Sequence, residues 1–157
     1  MECCATSAHT DPNNVVITEC PSCNTRGRPV RAITLDALLV APSDRPAGAY
    51  RFCASQRCSV VYYNCHDKSA LPAGALNVRV GAKETGLDRP VCYCFNHSAA
   101  DLRRDVEESG TSTITLAIKV ACKAGHDRCA ETNPEGRCCL GAVGATIKTT
   151  EKRPAIG

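Results

Sequence analysis

Short apolar segments separated by turn-forming residues occupy the first half of the chain. Residues 59–64 (SVVYYN) are rich in β-branched and aromatic side chains, which predicts a strand. Residues 77–81 (NVRVG) alternate polar and apolar positions, which predicts a second strand. Residues 33–39 (ITLDALL) fit either a strand or a short helical turn. The patterns together predict a small β-rich unit over residues 19–83.

Amphipathic helical segments are predicted in the second half. Ser98 is a good N-cap for a helix over residues 99–109, and Gly110 is a natural residue to end it. A second helix, capped by Ser112 or Thr113 and running through Lys123, is predicted in preference to a strand, because the segment is long and runs on into an Ala-Gly end. A third, short helix follows from Cys138 and is weakened by the glycines within it.

These patterns predict an α+β fold made of a small β-rich unit followed by a small helical unit. Residues 1–18 and 148–157 are expected to be an N-terminal and a C-terminal tail, because they are polar and lack periodicity. The β-rich unit spans 19–83 and the helical unit spans 84–147.

The high cysteine content changes how the small number of apolar residues is interpreted. The chain has 157 residues and 13 cysteines, and its aromatic side chains are four Tyr and two Phe. The hydrophobic fraction of 43% includes every cysteine, so the apolar residues left for a core are few. We therefore expect the cysteines to supply much of the folding energy, either as disulfides or as metal ligands.

Several classes of protein are disfavoured by composition. There is no apolar run of about 20 residues that would span a membrane, and the first residues do not have the pattern of a secretory signal. We therefore expect a cytoplasmic protein, where reduced, clustered thiols favour metal ligation over disulfides. The net charge is only +3 and residues of both signs are interleaved along the chain, which disfavours a nucleic-acid partner. We also find no nucleophile–base pair or carboxylate pair that predicts an enzyme.

The first cysteine constellation consists of Cys20, Cys23, Cys53 and Cys58. Four thiolates in two local pairs are what a structural zinc ion binds, because zinc in such sites is tetrahedral with a closed ligand shell. The alternatives are that these are unrelated buried thiols, or that one of them is replaced by another side chain of the same unit. The candidates for such a replacement are Asp36, Cys65, His66 and Asp67.

The second constellation combines Cys92 and Cys94 with Cys129 and one of the adjacent pair Cys138 and Cys139. The close C-x-C pair predicts that two thiolates hold one iron of a [2Fe–2S] cluster while the later pair holds the other iron. A mononuclear zinc ion is the less favourable alternative.

A family resemblance is carried by an ordered set of motifs over residues 19–144. The motifs are CPSC, RPV, YRFCASQRCSVVYYN, VRVG, RPVCYCF and TNPEGRCCLG. This set resembles the N-terminal domain of CopZ-type copper chaperones. The second half is also similar to bacterioferritin-associated ferredoxin, a small helical [2Fe–2S] module whose later ligands form a C-x2-C pair that this chain lacks.

The resemblance implies zinc on the first constellation and a [2Fe–2S] cluster on the second. Its implied fourth cluster ligand is Cys139, with Cys138 as the alternative. It further implies a metallochaperone in which the cluster is a one-electron donor that reduces Cu(II) to Cu(I). The implied partners are copper, an electron donor, and a metal-transporting ATPase or a separate heavy-metal-associated domain. The chain departs from the family after Gly144, where nothing resembles the M-x-C-x-x-C loop that holds Cu(I).

Two other functions remain open at this point. One is a ferredoxin-like electron carrier for an enzyme unrelated to copper, which shares the cluster but not tight Cu(I) binding. The other is a zinc-ribbon module that binds protein or nucleic acid without a redox role, which the scattered charge disfavours.

The remaining cysteines have weaker interpretations. Cys3 and Cys4 are adjacent in the predicted tail, where two thiolates are suited to capture a soft ion such as Cu(I), unless the tail is only solvated. Residues 65–67 (CHD) form either a minor metal site or an ordinary loop. Cys122 falls on the apolar face of the second predicted helix and is expected to be a packed thiol.

Overall fold

The computed structural model describes residues 15–151 and has an α+β fold, as predicted. The strands are β1 (Arg28–Val30), β2 (Tyr50–Phe52), β3 (Val60–Asn64), β4 (Ala70–Pro72), β5 (Pro90–Cys92) and β6 (His97–Ser98). The helices are α1 (Ala32–Leu38), α2 (Ala99–Ser109), α3 (Thr113–Lys123), α4 (Cys129–Thr132) and α5 (Leu140–Glu151). Three short 3₁₀ turns lie at Pro42–Asp44, Ala73–Ala75 and Gly81–Lys83.

A four-stranded antiparallel sheet in the order β1-β2-β3-β4 forms the centre of the first half. The central strand β3 is buried at every position, which explains its β-branched and aromatic sequence. One apolar cluster joins this sheet to α1 and to the segment after β4. Its buried members are Val30, Leu35, Leu38, Leu39, Tyr50, Phe52, Val61, Tyr62, Leu76 and Val80.

The strand predicted at residues 77–81 is wrong. Val78 and Val80 do pack against the apolar cluster, so the alternation is real. However, the Tyr93 hydroxyl accepts from the Gly81 backbone N–H at 2.9 Å and donates to the Arg79 carbonyl at 2.7 Å. These backbone groups are therefore satisfied by a side chain, and the segment continues as a 3₁₀ turn rather than as a strand.

Two predictions in the first half have clearer outcomes. The strand at residues 59–64 is confirmed as β3. The segment 33–39, which sequence left open between strand and helix, forms α1. Leu35 and Leu38 lie three residues apart on its buried face, as expected for a helix that covers one side of a sheet.

The two predicted helices of the second half are confirmed, α2 at its predicted bounds and α3 with Ser112, the first of its two candidate residues, as N-cap. A capping box starts α2, because Ser98 Oγ accepts from the Asp101 N–H at 3.2 Å and Asp101 Oδ2 accepts from the Ser98 N–H at 2.8 Å. Gly110 ends the helix with a φ of 72°. In α3, Ser112 Oγ accepts from the Thr115 N–H at 3.0 Å, which favours helix over strand locally.

The third helix is longer than predicted, since α5 continues to Glu151 and so includes the first residues of the tail predicted from residue 148. The rest of that predicted tail lies outside the described residues. Leu140, Val143 and Ile147 place apolar side chains on one face of α5, where they pack against α2 and α3. This tertiary packing offsets the low helix propensity of the glycines in α5.

The two halves of the chain are in contact through the turn that follows α4. The Tyr62 hydroxyl donates to the Pro134 carbonyl at 2.5 Å, and Thr34 Oγ1 donates to the Ala130 carbonyl at 2.6 Å. Arg28 forms an ion pair with Glu135 at 3.2 Å. The α4 segment that begins at Cys129 is therefore held against α1 and the sheet of the first half. The boundaries of the two units stay a prediction.

Gly81 lies so close to β5 that an alanine there is expected to destabilise the fold. A Cβ at this position would lie 1.9 Å from the Pro90 carbonyl oxygen, which is backbone and cannot move aside. We expect Gly81→Ala to lower the free energy of unfolding by roughly 1–3 kcal/mol or more, as overpacking does. Denaturant unfolding of the metal-loaded protein measures this.

Gly74→Ala is the matched control for this variant. Gly74 also lies in a short 3₁₀ turn, but a Cβ there meets nothing within 4 Å. Its effect is expected to stay within about 0.5 kcal/mol. Equal stability of the two variants would contradict the close contact at Gly81.

Candidate metal centres

The four cysteines of the first constellation come together in the structure. The sulfur atoms of Cys20, Cys23, Cys53 and Cys58 all lie within 4.8 Å of one another. The Cys20–Cys58 sulfur distance is 3.8 Å and the Cys23–Cys53 distance is 3.6 Å. A tetrahedron with Zn–S bonds of about 2.3 Å has sulfur–sulfur edges of about 3.8 Å. The arrangement therefore fits a single tetrahedral zinc ion.

Two local turns present these thiols. In the first, Cys20 N–H donates to the Thr25 carbonyl at 2.8 Å and Asn24 N–H donates to the Cys20 carbonyl at 2.9 Å. Asn24 has a φ of 59°, a left-handed conformation that asparagine tolerates. In the second, Cys53 extends the pairing of β2 with β3, and Cys58 N–H closes a turn on the Ser55 carbonyl at 3.2 Å.

The environments of the four thiols differ electrostatically. A hydrogen bond from the Thr25 side chain lowers the pKa of Cys23 to about 6. Burial raises the pKa of Cys53 to about 12, and the positive charge of Lys83 acts in the opposite direction. Burial likewise raises the pKa of Cys20. A divalent cation at the centre would supply the positive charge that these buried thiols need to ionise.

The alternative zinc ligands of the first half lie elsewhere. Asp36 is exposed and pairs with Arg45 at 2.6 Å. In residues 65–67, the backbone N–H groups of His66 and Asp67 donate to Asn64 Oδ1, which makes an ordinary polar turn. Within residues 15–151, the four cysteines are the sole set of three or more such side chains that meets this spacing.

The cysteines of the second constellation form two pairs. Cys94 and Cys129 have sulfur atoms 3.3 Å apart, whereas Cys92 and Cys139 are both buried in the apolar cluster of the helical half and act on each other's pKa. Cys94 thus has its sulfur neighbour on a later segment, and the expectation that Cys92 and Cys94 hold one iron together stays a prediction. Alternate side chains of an extended segment are about 6–7 Å apart, so each thiol finds its neighbour on a later segment.

Hydrogen bonds surround these sulfur atoms. The Arg128 backbone N–H donates to Cys94 Sγ at 3.1 Å. The interaction with the Cys139 side chain lowers the pKa of Cys92 to about 7, and the backbone N–H groups of Phe95 and Cys94 act in the same direction. The same interaction raises the pKa of Cys139. Burial raises the pKa of Cys129 to about 12. Such N–H donors stabilise thiolates and tune the iron–sulfur clusters that thiolates hold.

Comparisons with known proteins agree on one family. Residues 17–76 match the CopZ family model that is described as a zinc binding domain. The crystal structure of the Archaeoglobus fulgidus CopZ N-terminal domain superposes with a TM-score of 0.67 at 32% identity, and the match covers 81% of this chain and 95% of that domain. The chain belongs to the CopZ N-terminal domain family. The predicted resemblance is thus confirmed for its zinc-binding domain, whereas the [2Fe–2S] part stays a prediction.

The full-length CopZ relative extends further than this chain. The copper chaperone CopZ of A. fulgidus is 33% identical over 121 residues, which is 76% of this chain. The same match covers 57% of that chaperone, so the chain spans little more than half of its length.

The adjacent cysteines of this CopZ-type domain have different surroundings. Cys139 is 2% exposed and belongs to the apolar cluster of the helical half. Cys138 is exposed. Consecutive side chains on a helix entry diverge, so Cys139 is directed at Cys92 while Cys138 is not.

One electrostatic influence was missed from sequence. Cys122 is partly buried and packs against the helical cluster, as predicted for a packed thiol. Burial raises the pKa of Cys122, and the Asp127 carboxylate and the Cys138 thiol act in the same direction. No sign of this influence is visible in the sequence, because it depends on how α3 packs against α5.

The predicted soft-ion capture by Cys3 and Cys4 lies outside the described residues. Between residues 15 and 151, we find no helix with the length and apolar character needed to cross a membrane.

Proposed function

We propose that this protein is a CopZ-type metallochaperone for copper, which acts in the cytoplasm as a metal carrier and not as an enzyme. Two four-thiol sets of different geometry in one chain with the CopZ N-terminal fold are the observation that carries this proposal. The proposed zinc ligands are Cys20, Cys23, Cys53 and Cys58. The proposed [2Fe–2S] ligands are Cys92, Cys94, Cys129 and Cys139.

Zinc has a structural role in this proposal. Cys20 and Cys53 are completely buried and Cys58 is 9% exposed, so the site is closed to solvent on most sides. A site with four thiolates leaves no open position for a water or a substrate, which is the mark of structural rather than catalytic zinc. Lys83 near Cys53 partly offsets the negative charge of the tetrathiolate.

The second set fits a two-iron cluster better than a single ion. Its thiols lie in two pairs on different segments, and unlike the first set they do not all fall within 4.8 Å of one another. A bound [2Fe–2S] cluster supplies one-electron chemistry, here the electron that converts Cu(II) to Cu(I). Cys94 is the most exposed of the four thiols and marks the side that is open to a copper ion.

Two arguments support copper as the metal that the protein carries: the chemistry of thiolate ligands and the similarity to a copper chaperone. Thiolates are soft donors that select Cu(I), zinc and iron–sulfur clusters, and the A. fulgidus relative is named a copper chaperone. The proposed partners are an electron donor and, as recipient of Cu(I), a metal-transporting ATPase or a separate heavy-metal-associated domain.

Metal and sulfide analysis of anaerobically purified protein tests the proposal. We expect one zinc, two iron and two acid-labile sulfide per chain, with the visible bands of a [2Fe–2S] centre. After reduction and removal of the excess reductant, Cu(II) added with a Cu(I)-specific chelator is expected to give about one Cu(I) per cluster as the bands of the oxidised cluster return.

The oxidised protein is the control, because it has no electron to donate. Colourless protein with two zinc ions and no sulfide would contradict the cluster. A normal cluster combined with no tight Cu(I) binding would instead favour a ferredoxin-like electron carrier.

A further inference from the structure

The segment between the last two proposed cluster ligands is bonded to the other half of the chain. In α1, Thr34 Oγ1 donates to the Ala130 carbonyl at 2.6 Å, and in β3 the Tyr62 hydroxyl donates to the Pro134 carbonyl at 2.5 Å. Both donor side chains are completely buried and belong to the half that carries the proposed zinc ligands. The segment is therefore anchored on the zinc-binding half, although the cysteines at its ends belong to the second set.

Hydrogen bonds within the segment shape its turn without fixing where the turn lies. The Asn133 side-chain amide donates to the Arg137 carbonyl at 2.8 Å, and Asn133 Oδ1 accepts from the Glu135 N–H at 3.0 Å. A Cβ on Gly136 would lie 2.9 Å from Thr34 Oγ1, so the turn lies directly against α1. Its position is therefore determined by the hydroxyl bonds and packing contacts with the first half.

The earlier pair of proposed cluster ligands is tied to the first half in the same way. Tyr93 lies between Cys92 and Cys94 in the chain. Its hydroxyl accepts from the Gly81 N–H at 2.9 Å and donates to the Arg79 carbonyl at 2.7 Å. Both pairs of thiols thus lie on segments that are held by hydroxyl-to-backbone bonds between the two halves.

These bonds bear on how firmly a cluster is retained. The thiolates of one segment must move away before a cluster is lost, and such a local opening is governed by the contacts of that segment. One hydrogen bond changes an equilibrium of this kind roughly 2–10-fold. The two hydroxyls of the first half are therefore expected to limit the opening of the segment that they hold.

We propose that Thr34 and Tyr62 are positioning residues for the iron–sulfur cluster, through which the zinc-binding half determines how firmly the helical half holds it. They act through the backbone of the segment from Cys129 to Cys139 and contribute no ligand. This inference rests on the proposed [2Fe–2S] ligands and adds the means by which the first half takes part in holding the cluster.

The rate of iron release from the anaerobic, metal-loaded whole chain tests the proposal. An excess of a bipyridyl chelator of Fe(II) is added to the reduced protein, and the coloured Fe(II) complex is followed with time. Tyr62→Phe and Thr34→Val remove the two hydroxyls at nearly constant shape, and each is expected to speed the release of iron roughly 2–10-fold. Zinc content and the visible bands before the chelator is added are expected to stay those of the unsubstituted protein.

Tyr50→Phe is the matched control. Tyr50 lies in β2 of the same sheet and is 2% exposed, and its hydroxyl donates to the Pro46 carbonyl at 2.8 Å, within the first half. The substitution removes the same type of bond without touching the segment that follows Cys129. Iron release from this variant is therefore expected to keep the rate of the unsubstituted protein.

Three results would overturn the positioning role while leaving the proposed function intact. Equal rates of iron release in all four proteins would show that the hydroxyls do not limit opening. Release from Tyr50→Phe that is as fast as from Tyr62→Phe would assign the effect to a general loss of stability, and loss of zinc from Tyr62→Phe and Thr34→Val would assign it to the first half alone. Unsubstituted protein without iron and sulfide would contradict the proposed function and this inference together.

Discussion

Replacing Cys53 by serine is expected to remove the zinc ion and unfold the sheet half of the protein. Cys53 is 0% exposed and its thiol is one of the four that meet within 4.8 Å. A serine hydroxyl is a poor zinc ligand, and a buried hydroxyl without a partner itself costs about 1–3 kcal/mol. Structural zinc contributes about 10–16 kcal/mol of binding free energy in small domains, which is comparable to the whole stability of a typical domain.

The composition of the local core explains why this loss should be so large. The buried cluster around the four-thiol set consists mainly of its own cysteines, joined by Val60 and Tyr63. Without the ion, three thiols and a hydroxyl would remain in a site with little apolar surface to hold it together. At this end of the sheet, the metal therefore takes the place that apolar packing has in the cluster between the sheet and α1.

Zinc content by elemental analysis and thermal unfolding by circular dichroism measure the effect. Cys65→Ser is the control, because Cys65 is also buried in this half but lies outside the four-thiol set. It should keep its zinc and lose only the cost of burying a hydroxyl, about 1–3 kcal/mol. A Cys53→Ser protein with full zinc content and an unchanged melting temperature would contradict the assignment.

The elements that sequence predicted well are those with local signals. The capping box at Ser98 and the left-handed Gly110 define both ends of α2 within a few residues of chain. The run of Val and Tyr residues in β3 likewise indicates a strand that is buried on both faces. The two zinc-site pairs, around Cys20 and around Cys53, also lie in local turns. The remaining step is the pairing of β1 with β2, in which Arg28 lies opposite Phe52 and which brings the two turns together.

The features that sequence missed depend on contacts between distant segments. The strands β1, β2 and β4 have three residues each, too few for a periodic pattern. The length of α5 follows from packing against α2 and α3, and the glycines in its sequence point the other way. The pairing of Cys94 with Cys129 spans 35 residues and similarly requires the fold.

Substitutions of the adjacent cysteines Cys138 and Cys139 are expected to differ sharply in their effect on the iron–sulfur centre. We expect Cys139→Ser to abolish the [2Fe–2S] centre and Cys138→Ser to retain it. Cys139 is buried in the apolar cluster of the helical half, together with Cys92, whereas Cys138 is exposed. The two variants change neighbouring residues in the same way, so each is the control for the other.

Visible absorption, iron and acid-labile sulfide of anaerobic protein measure this difference. Cys139→Ser is expected to lose nearly all iron and sulfide and to weaken the packing of α5, because Cys139 is part of the same apolar cluster as Val143. Zinc content should remain that of the unsubstituted protein in both variants, since the four-thiol set of the first half is untouched. The reverse outcome, with iron and sulfide lost only in Cys138→Ser, would make the exposed thiol the ligand and require the start of α5 to rotate on cluster binding.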